Sequence, residues 1–309
     1  MRVAITFPGQ GTQAEGMARP WKGHASWSVI EQAETALREP LAQLVLDADA
    51  TTLGRTRDAQ LAVLLTSLAA WEAARHEIAE RHEIAAFAGH SLGQVTALIA
   101  SGVFSVADGV RFAARRAELT QSAADRHPGR MAVLLGATPE QAADACGAAP
   151  AACWIANDNA PGQVVIAGTA DGVDAAAARA KQLGIKRTMR LNVGGAFHTP
   201  LMRDARDGVV DALRDTAFGA PSAPVVSNAD AIAYADADGW RERLPEHLVR
   251  PVRWRESMLA LAAAPLAADA FIEVGHGSMI AGVAKRTVAD VSVIPLATPE
   301  DLASLRPQQ

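Results

Sequence analysis

Short apolar runs rich in branched residues alternate with alanine-rich stretches of helical period along most of this chain. That rhythm predicts a parallel sheet with helices packed on it. Val3–Phe7 reads as a first strand and ends in the turn-forming Pro8-Gly9-Gln10-Gly11. Leu61, Leu64, Leu65, Leu68 and Trp71 recur at helical spacing, which predicts a helix over Ala59–Glu80 with one apolar side. Ile84–Ala88 reads as a second strand, Gln94–Ser101 as a helix, and Val106–Ala124 as another.

The rhythm changes between Gly129 and Val193. Met131–Leu135 predicts a strand and Thr138–Cys146 a helix opened by Thr-Pro-Glu. Cys153–Ala156 and Val164–Ala167 predict two strands around the turn Asn157-Asp158-Asn159-Ala160-Pro161-Gly162. A helix over Val173–Leu183 and a strand over Lys186–Val193 complete the order βαββαβ, the ferredoxin-like unit. The expected layout is therefore an α/β core from segments 1–128 and 196–309, carrying a small inserted subdomain at 129–195, with the active site in the cleft between them. Thr199-Pro200 supplies a cap and a first-turn proline for a helix to about Asp215. Val225–Ser227 and Phe271–Val274 read as further strands, Gly275–Gly277 turns into a helix towards Arg286, and the tail Leu305–Gln309 is expected to be loose.

Composition narrows the classes. The 309 residues are 50% hydrophobic and 20% charged, with 29 basic against 34 acidic side chains for a net charge of −5. That balance speaks against a nucleic-acid surface or adhesion to anionic membrane. Cys146 and Cys153 are the two cysteines and form no CxxC, so no disulfide framework or zinc site is expected. The N-terminal apolar run is too short for a signal peptide, and no apolar stretch approaches the ~18 residues needed to cross a bilayer. A cytoplasmic monomer without metal or cofactor is the expectation.

The chemistry concentrates at Gly89-His90-Ser91-Leu92-Gly93, a GxSxG pattern lying between a predicted strand and a predicted helix. In that setting flanking glycines let the backbone turn sharply and push the serine outward as a nucleophile. The rival Gly275-His276-Gly277-Ser278 lacks the second glycine at the required offset, and Ser278 reads better as a helix cap. A serine nucleophile needs a base, usually histidine. His24, His127 and His276 fall in predicted turns, His76 and His82 flank polar helix ends, and His90 should point away from the elbow beside Ser91. His198 follows a strand and precedes a helix, where catalytic side chains gather in open α/β sheets. No acidic residue stands out as a third member, so a dyad oriented by a backbone carbonyl is the simpler expectation.

Taken together, Phe7-Pro8-Gly9-Gln10-Gly11-Thr12-Gln13, the GHSLG elbow, Asn157–Val165, Ala196-Phe197-His198, Arg250-Pro251-Val252-Arg253-Trp254 and Glu273–Gly277 resemble the malonyl-CoA:acyl carrier protein transacylase family. The resemblance runs from residue 7 to about 286 and implies an α/β-hydrolase-like core with a ferredoxin-like insertion. It implies transfer of a malonyl group from malonyl-CoA to the phosphopantetheine thiol of an acyl carrier protein, by way of an ester on Ser91 with His198 as base. It also implies an oxyanion hole from the backbone N–H groups of Gln10 and Leu92, and Arg116 as the grip on the malonyl carboxylate. Phe197 would narrow the pocket towards malonyl. His247 stands where bacterial fatty-acid enzymes usually have glutamine, and its backbone carbonyl would orient His198. Gln94 stands where glutamate often follows the elbow.

A helical wheel agrees about the arginine. With Val106 at zero and ~100° per residue, Val110, Ala113 and Ala117 form the apolar stripe, while Arg111 and Arg115 lie opposite it. Arg116 falls between that stripe and the Phe112/Leu119 pair, and its planar fork suits a carboxylate. Arg111, Arg115 and Arg187 are the expected contributors to a basic patch for an acidic carrier protein. A thioester hydrolase, a polyketide-type acyltransferase of other preference, a malonate decarboxylase subunit and a non-catalytic carrier-docking scaffold are the alternatives.

Overall fold

The structure, a computed structural model, describes residues 1–305. Strands β1 (Arg2–Phe7) and β2 (Glu83–Gly89) lead into a second group, β3 (Arg130–Leu135), β4 (Cys153–Ala160), β5 (Gln163–Gly168) and β6 (Arg187–Arg190). The chain then returns to the first group with β7 (Val225–Val226), β8 (Ala233–Tyr234), β9 (Ala270–Val274) and β10 (Ser292–Leu296). The larger sheet has the order β10-β9-β1-β2-β7-β8, parallel throughout except where β8 turns back on β7. Its central strand β1 is buried from Val3 to Phe7 without alternation, as a parallel strand covered on both faces must be. The smaller sheet is antiparallel, in the order β4-β5-β3-β6, the ferredoxin-like arrangement.

The helix expected at 59–80 runs over Thr56–Arg81, but it is not one-sided: every residue from Ala59 to Trp71 is buried. It contacts β2 and β9 of the sheet as well as the helices Ser28–Leu37 and Val106–Arg126, so no side faces water over those turns. Trp71 stands edge-on to both Phe7 and Phe87, pinning the helix to β1 and β2.

Several differences from the sequence expectation have identifiable causes. The polar run Asn157–Ala160 is strand, not turn, and only Pro161-Gly162 makes the hairpin connection. Its polar side chains have partners: Asp158 pairs with Arg255 at 2.8 Å and Asn159 with His90 at 2.8 Å. Backbone bonds from Val252 N–H to the Ala156 carbonyl and from Asp158 N–H to the Val252 carbonyl stitch β4 to the larger sheet's side of the molecule. Strand β10 escapes notice because it contains Pro295, which an edge strand tolerates. Of the tail expected to be loose, Leu305 is buried at the end of the 3-10 helix Pro299–Leu305, and residues 306–309 lie outside the described residues.

Ser278 sits at the start of helix Met279–Thr287 but its side chain caps nothing. The buried Glu273 does so instead, accepting the Ile280 and Ala281 N–H groups at 2.8 Å each. A carboxylate at a helix N-terminus meets both the free N–H groups and the positive end of the helix dipole. Glu273→Ala is therefore expected to lower the unfolding free energy by about 2 kcal/mol, and Ser278→Ala by about 0.5 kcal/mol or less. Urea titrations of the two variants check this, and equal losses would contradict the assignment of the cap.

Candidate active site

Strand β2 ends at Gly89, and the helix Gly93–Ala100 begins after three intervening residues. The turn between them is tight enough to demand glycine. A Cβ on Gly89 would lie 1.9 Å from the Gly93 carbonyl oxygen, and one on Gly93 would lie 2.3 Å from that of Phe7. Ser91 takes a left-handed backbone, φ 53°, at the apex. Its N–H is held by the side chain of Asn228 at 2.7 Å.

Ser91 Oγ lies 2.7 Å from His198 Nε2, and His198 Nδ1 lies 2.8 Å from the backbone carbonyl of His247. A carbonyl oxygen only accepts, so Nδ1 carries the proton and the lone pair of Nε2 faces the serine hydroxyl. No carboxylate bonds to His198 among the described residues. The His247 ring is occupied elsewhere, with Nε2 3.1 Å from Ser227 Oγ and an edge-on contact to Trp240. The position thus contributes its main chain to His198 while its side chain packs behind.

Arg116 projects from helix Val106–Arg126 and is buried to 7% exposure, whereas Arg111 and Arg115 are exposed, as the wheel requires. Its Nη1 donates to Gln60 Oε1 at 2.7 Å, and among the described residues it has no carboxylate partner. Gln60 Nε2 in turn donates to Gln10 Oε1 at 3.4 Å. Gln10 and Leu92 keep free backbone N–H groups, with no acceptor among the described residues.

Ser91, His198, Arg116, Gln10 and Phe197 all line one cavity of about 750 Å³. Its opposite wall comes from Met131, Val133, Val165, Met189 and Leu191 of the smaller sheet and the segment after it. His90 is among the residues lining the cavity, and its ring is edge-on to Trp254 and bonded through Nε2 to Asn159 Oδ1. Gln60 and Ser227 are not singled out by the sequence, and Asn159 only as part of the polar run 157–159, because their partners lie far along the chain. Gln60 could have been suspected as a polar residue one position before the apolar run that starts at Leu61.

Burial and like charge act together on the titration. Desolvation, followed by the Arg116 cation, lowers the His198 pKa to about 3, and the same two causes lower that of His247 to about 4. Desolvation alone lowers Arg116 to about 10, which leaves it cationic at neutral pH. His198 is thus a neutral acceptor across the physiological range.

A histidine whose folded pKa lies below its unfolded value adds stability that is present above the unfolded pKa and is lost as pH falls towards the folded one. Stability should therefore decline as pH drops below the ordinary histidine value of 6.5. The ionisation of His198 in kcat/KM should appear well below that value. A pH series of unfolding and of kcat/KM checks both, and a kcat/KM midpoint at 6.5 would contradict the buried neutral state.

Comparison with known proteins places this geometry in a family. The acyl transferase domain model matches residues 5–304. The malonyl CoA-acyl carrier protein transacylase of Bacillus subtilis is 34% identical over 97% of this chain and 95% of that relative. The protein of the same name from Escherichia coli K12 is 34% identical over 98% of each. Among solved structures, the malonyl-CoA:acyl carrier protein transacylase of Xanthomonas oryzae superposes with a TM-score of 0.91, at 35% identity and 98% coverage of both chains. A malonyl-transacylase in complex with its type II polyketide synthase acyl-carrier protein superposes with a TM-score of 0.92, at 31% identity and 99% coverage of both. The fold, the elbow and the near-complete overlap agree, and the chain belongs to the acyl transferase family as one of its malonyl-CoA:acyl carrier protein transacylases.

Proposed function

We propose that this chain moves a malonyl group from malonyl-CoA to the phosphopantetheine thiol of an acyl carrier protein, through an ester on Ser91. The observation that carries the reading is one cavity holding both the 2.7 Å Ser91–His198 pair and a buried guanidinium without a carboxylate partner. A malonyl thioester offers both halves of the complement: a carbonyl for the serine and a carboxylate for Arg116.

In this mechanism His198 Nε2 takes the Ser91 proton as Oγ attacks the thioester carbonyl. The oxyanion is met by the N–H groups of Leu92 and Gln10, which lack other acceptors. Collapse expels CoA as its thiol, with the proton returned from His198. The carrier's thiol then gives its proton to His198 and attacks the seryl ester, regenerating Ser91. The His247 carbonyl keeps the imidazole in the required tautomer, and it also accepts from the imidazolium formed in each half-reaction. The thioester is already activated, so the reaction calls for no cofactor.

Arg116 supplies selectivity. An acetyl group would leave the buried guanidinium with only Gln60, and a buried charge short of partners is costly. Phe197 lines the cavity beside His198, and its bulk favours an acyl group without an α-methyl branch. The domain division at 129–195 fits this reading, since that segment furnishes the apolar wall opposite Ser91. Of the basic residues proposed to meet an acidic carrier, Arg111 and Arg115 are paired with Asp108 and Glu118 on their own helix. Arg187 is exposed and has no ion-pair partner among the described residues, so it is the stronger candidate. A CoA-thioester donor implies work in the cytoplasm.

Transfer from malonyl-CoA to a phosphopantetheinylated carrier protein tests the reading. Ser91→Ala should abolish it, and His198→Ala should lower kcat by about 10²- to 10⁴-fold. Arg116→Ala should reduce the preference for malonyl-CoA over acetyl-CoA, measured as the ratio of kcat/KM values, by about 10- to 100-fold. An unchanged preference would remove Arg116 from the substrate site, and full transfer by Ser91→Ala would overturn the mechanism.

A further inference from the structure

The elbow raises a backbone accounting problem that its own elements do not solve. Strand β7 runs beside β2 for a single paired position, Phe87 with Val225, and ends at Val226. The chain then turns away into β8, with the Ser227 N–H bonded to the Ile232 carbonyl. Beyond that point the edge of β2 has no strand to satisfy the Gly89 carbonyl. The Ser91 N–H, in a left-handed turn, has no helical partner either.

One side chain answers both. Asn228 Nδ2 donates to the Gly89 carbonyl at 2.8 Å, and Asn228 Oδ1 accepts the Ser91 N–H at 2.7 Å. Its amide stands in for the next strand, bridging the acceptor before the nucleophile and the donor on it. Asn228 is itself fixed from two sides. Its N–H donates to Gln94 Oε1 at 3.0 Å, and its carbonyl accepts the Arg253 N–H at 2.9 Å. It is buried at 2% exposure and does not line the cavity, so it touches no substrate.

We infer that Asn228 is a positioning residue for the acylation of Ser91: its amide fixes the peptide planes on either side of the elbow and so aims Ser91 Oγ at His198 and the Leu92 N–H into the oxyanion site. The inference rests on the acyltransfer reading above. It also settles a choice among donors. With its own N–H bound to Asn228, Ser91 has none to offer an oxyanion, which leaves that work to Leu92 and Gln10. Gln94 acts one step further back, since its carbonyl oxygen holds the Asn228 backbone.

A role confined to stability and a role in positioning differ in what they change. Loss of aim lowers the rate of the chemical step and leaves ground-state binding of malonyl-CoA unchanged. Asn228→Ala is expected to lower the single-turnover rate of malonyl-enzyme formation about 100-fold, with half-saturating malonyl-CoA within about threefold of wild type. Labelling of Ser91 by a fluorophosphonate, which needs the nucleophile and oxyanion site but no malonyl group, should slow in parallel. If Asn228→Ala does not fold, Asn228→Asp serves instead. It keeps the acceptor for the Ser91 N–H and loses the donor to Gly89, and its acylation should slow about tenfold. A folded Asn228→Ala, or failing that a folded Asn228→Asp, that acylates and labels at the wild-type rate overturns the inference, as does a change in half-saturation alone. Wild-type protein that takes the fluorophosphonate on Ser91 but no malonyl group would defeat the malonyl reading and leave the positioning role to be judged by the labelling rates.

Discussion

Three backbones cross at the elbow with no room for a side-chain carbon between them, and the architecture around the site follows from that crossing. Phe7 at the end of β1, Gly89 at the end of β2 and Gly93 at the start of the following helix lie so close that a Cβ on either glycine would enter a neighbouring carbonyl oxygen. The His90 N–H bonds to the Phe7 carbonyl at 3.0 Å, tying the turn to β1. A Cβ on Gly9 would lie 2.4 Å from the His90 carbonyl oxygen, so the segment past β1 that leads into Gln10 packs against the turn that carries Ser91 and Leu92. The two N–H groups proposed as oxyanion donors thus come from distant parts of the sequence to one junction, an arrangement that would need little reorganisation as charge develops.

The second constraint is electrostatic. Arg116 and His198 line the same cavity as residues of the smaller sheet, and the guanidinium acts on the imidazole. The guanidinium helps hold the imidazole neutral, as a general base must be before the reaction. If, as proposed, a substrate carboxylate sits on Arg116, that repulsion would be offset and the imidazolium formed during attack would become less costly. Binding of the correct acyl group and activation of the serine are linked in this way. On the proposed reading a substrate without the carboxylate would lose on both counts, giving selectivity a source in the chemical step as well as in binding.

Much of this was legible from residues alone. Strong periodicity located the strands β1, β2 and β9 and the inserted βαββαβ unit, and the GxSxG spacing between a strand and a helix located Ser91. The wheel separated the buried Arg116 from Arg111 and Arg115, because it lies on a different face of the helix from those two. What could not be read has a common physical cause. Gln60, Asn159, Ser227 and Asn228 act through hydrogen bonds to residues 20 to 137 positions away, and nothing local distinguishes them from ordinary polar residues. Ser278 looked like a cap by local rules, yet Glu273 reaches the helix first from the end of β9. Asn157–Ala160 looked like a turn by composition, although their partners, Arg255, His90 and Val252, lie far along the chain.

The central claim is that Ser91 carries the malonyl group between donor and carrier. Mixing the protein with malonyl-CoA in the absence of any carrier protein, then measuring intact mass and mapping the modified peptide, tests it most directly. The account predicts a single malonyl group per chain, on the peptide that contains Ser91, and its loss when a carrier thiol is added. No adduct, an adduct elsewhere, or steady release of free malonate at the rate of transfer would contradict it.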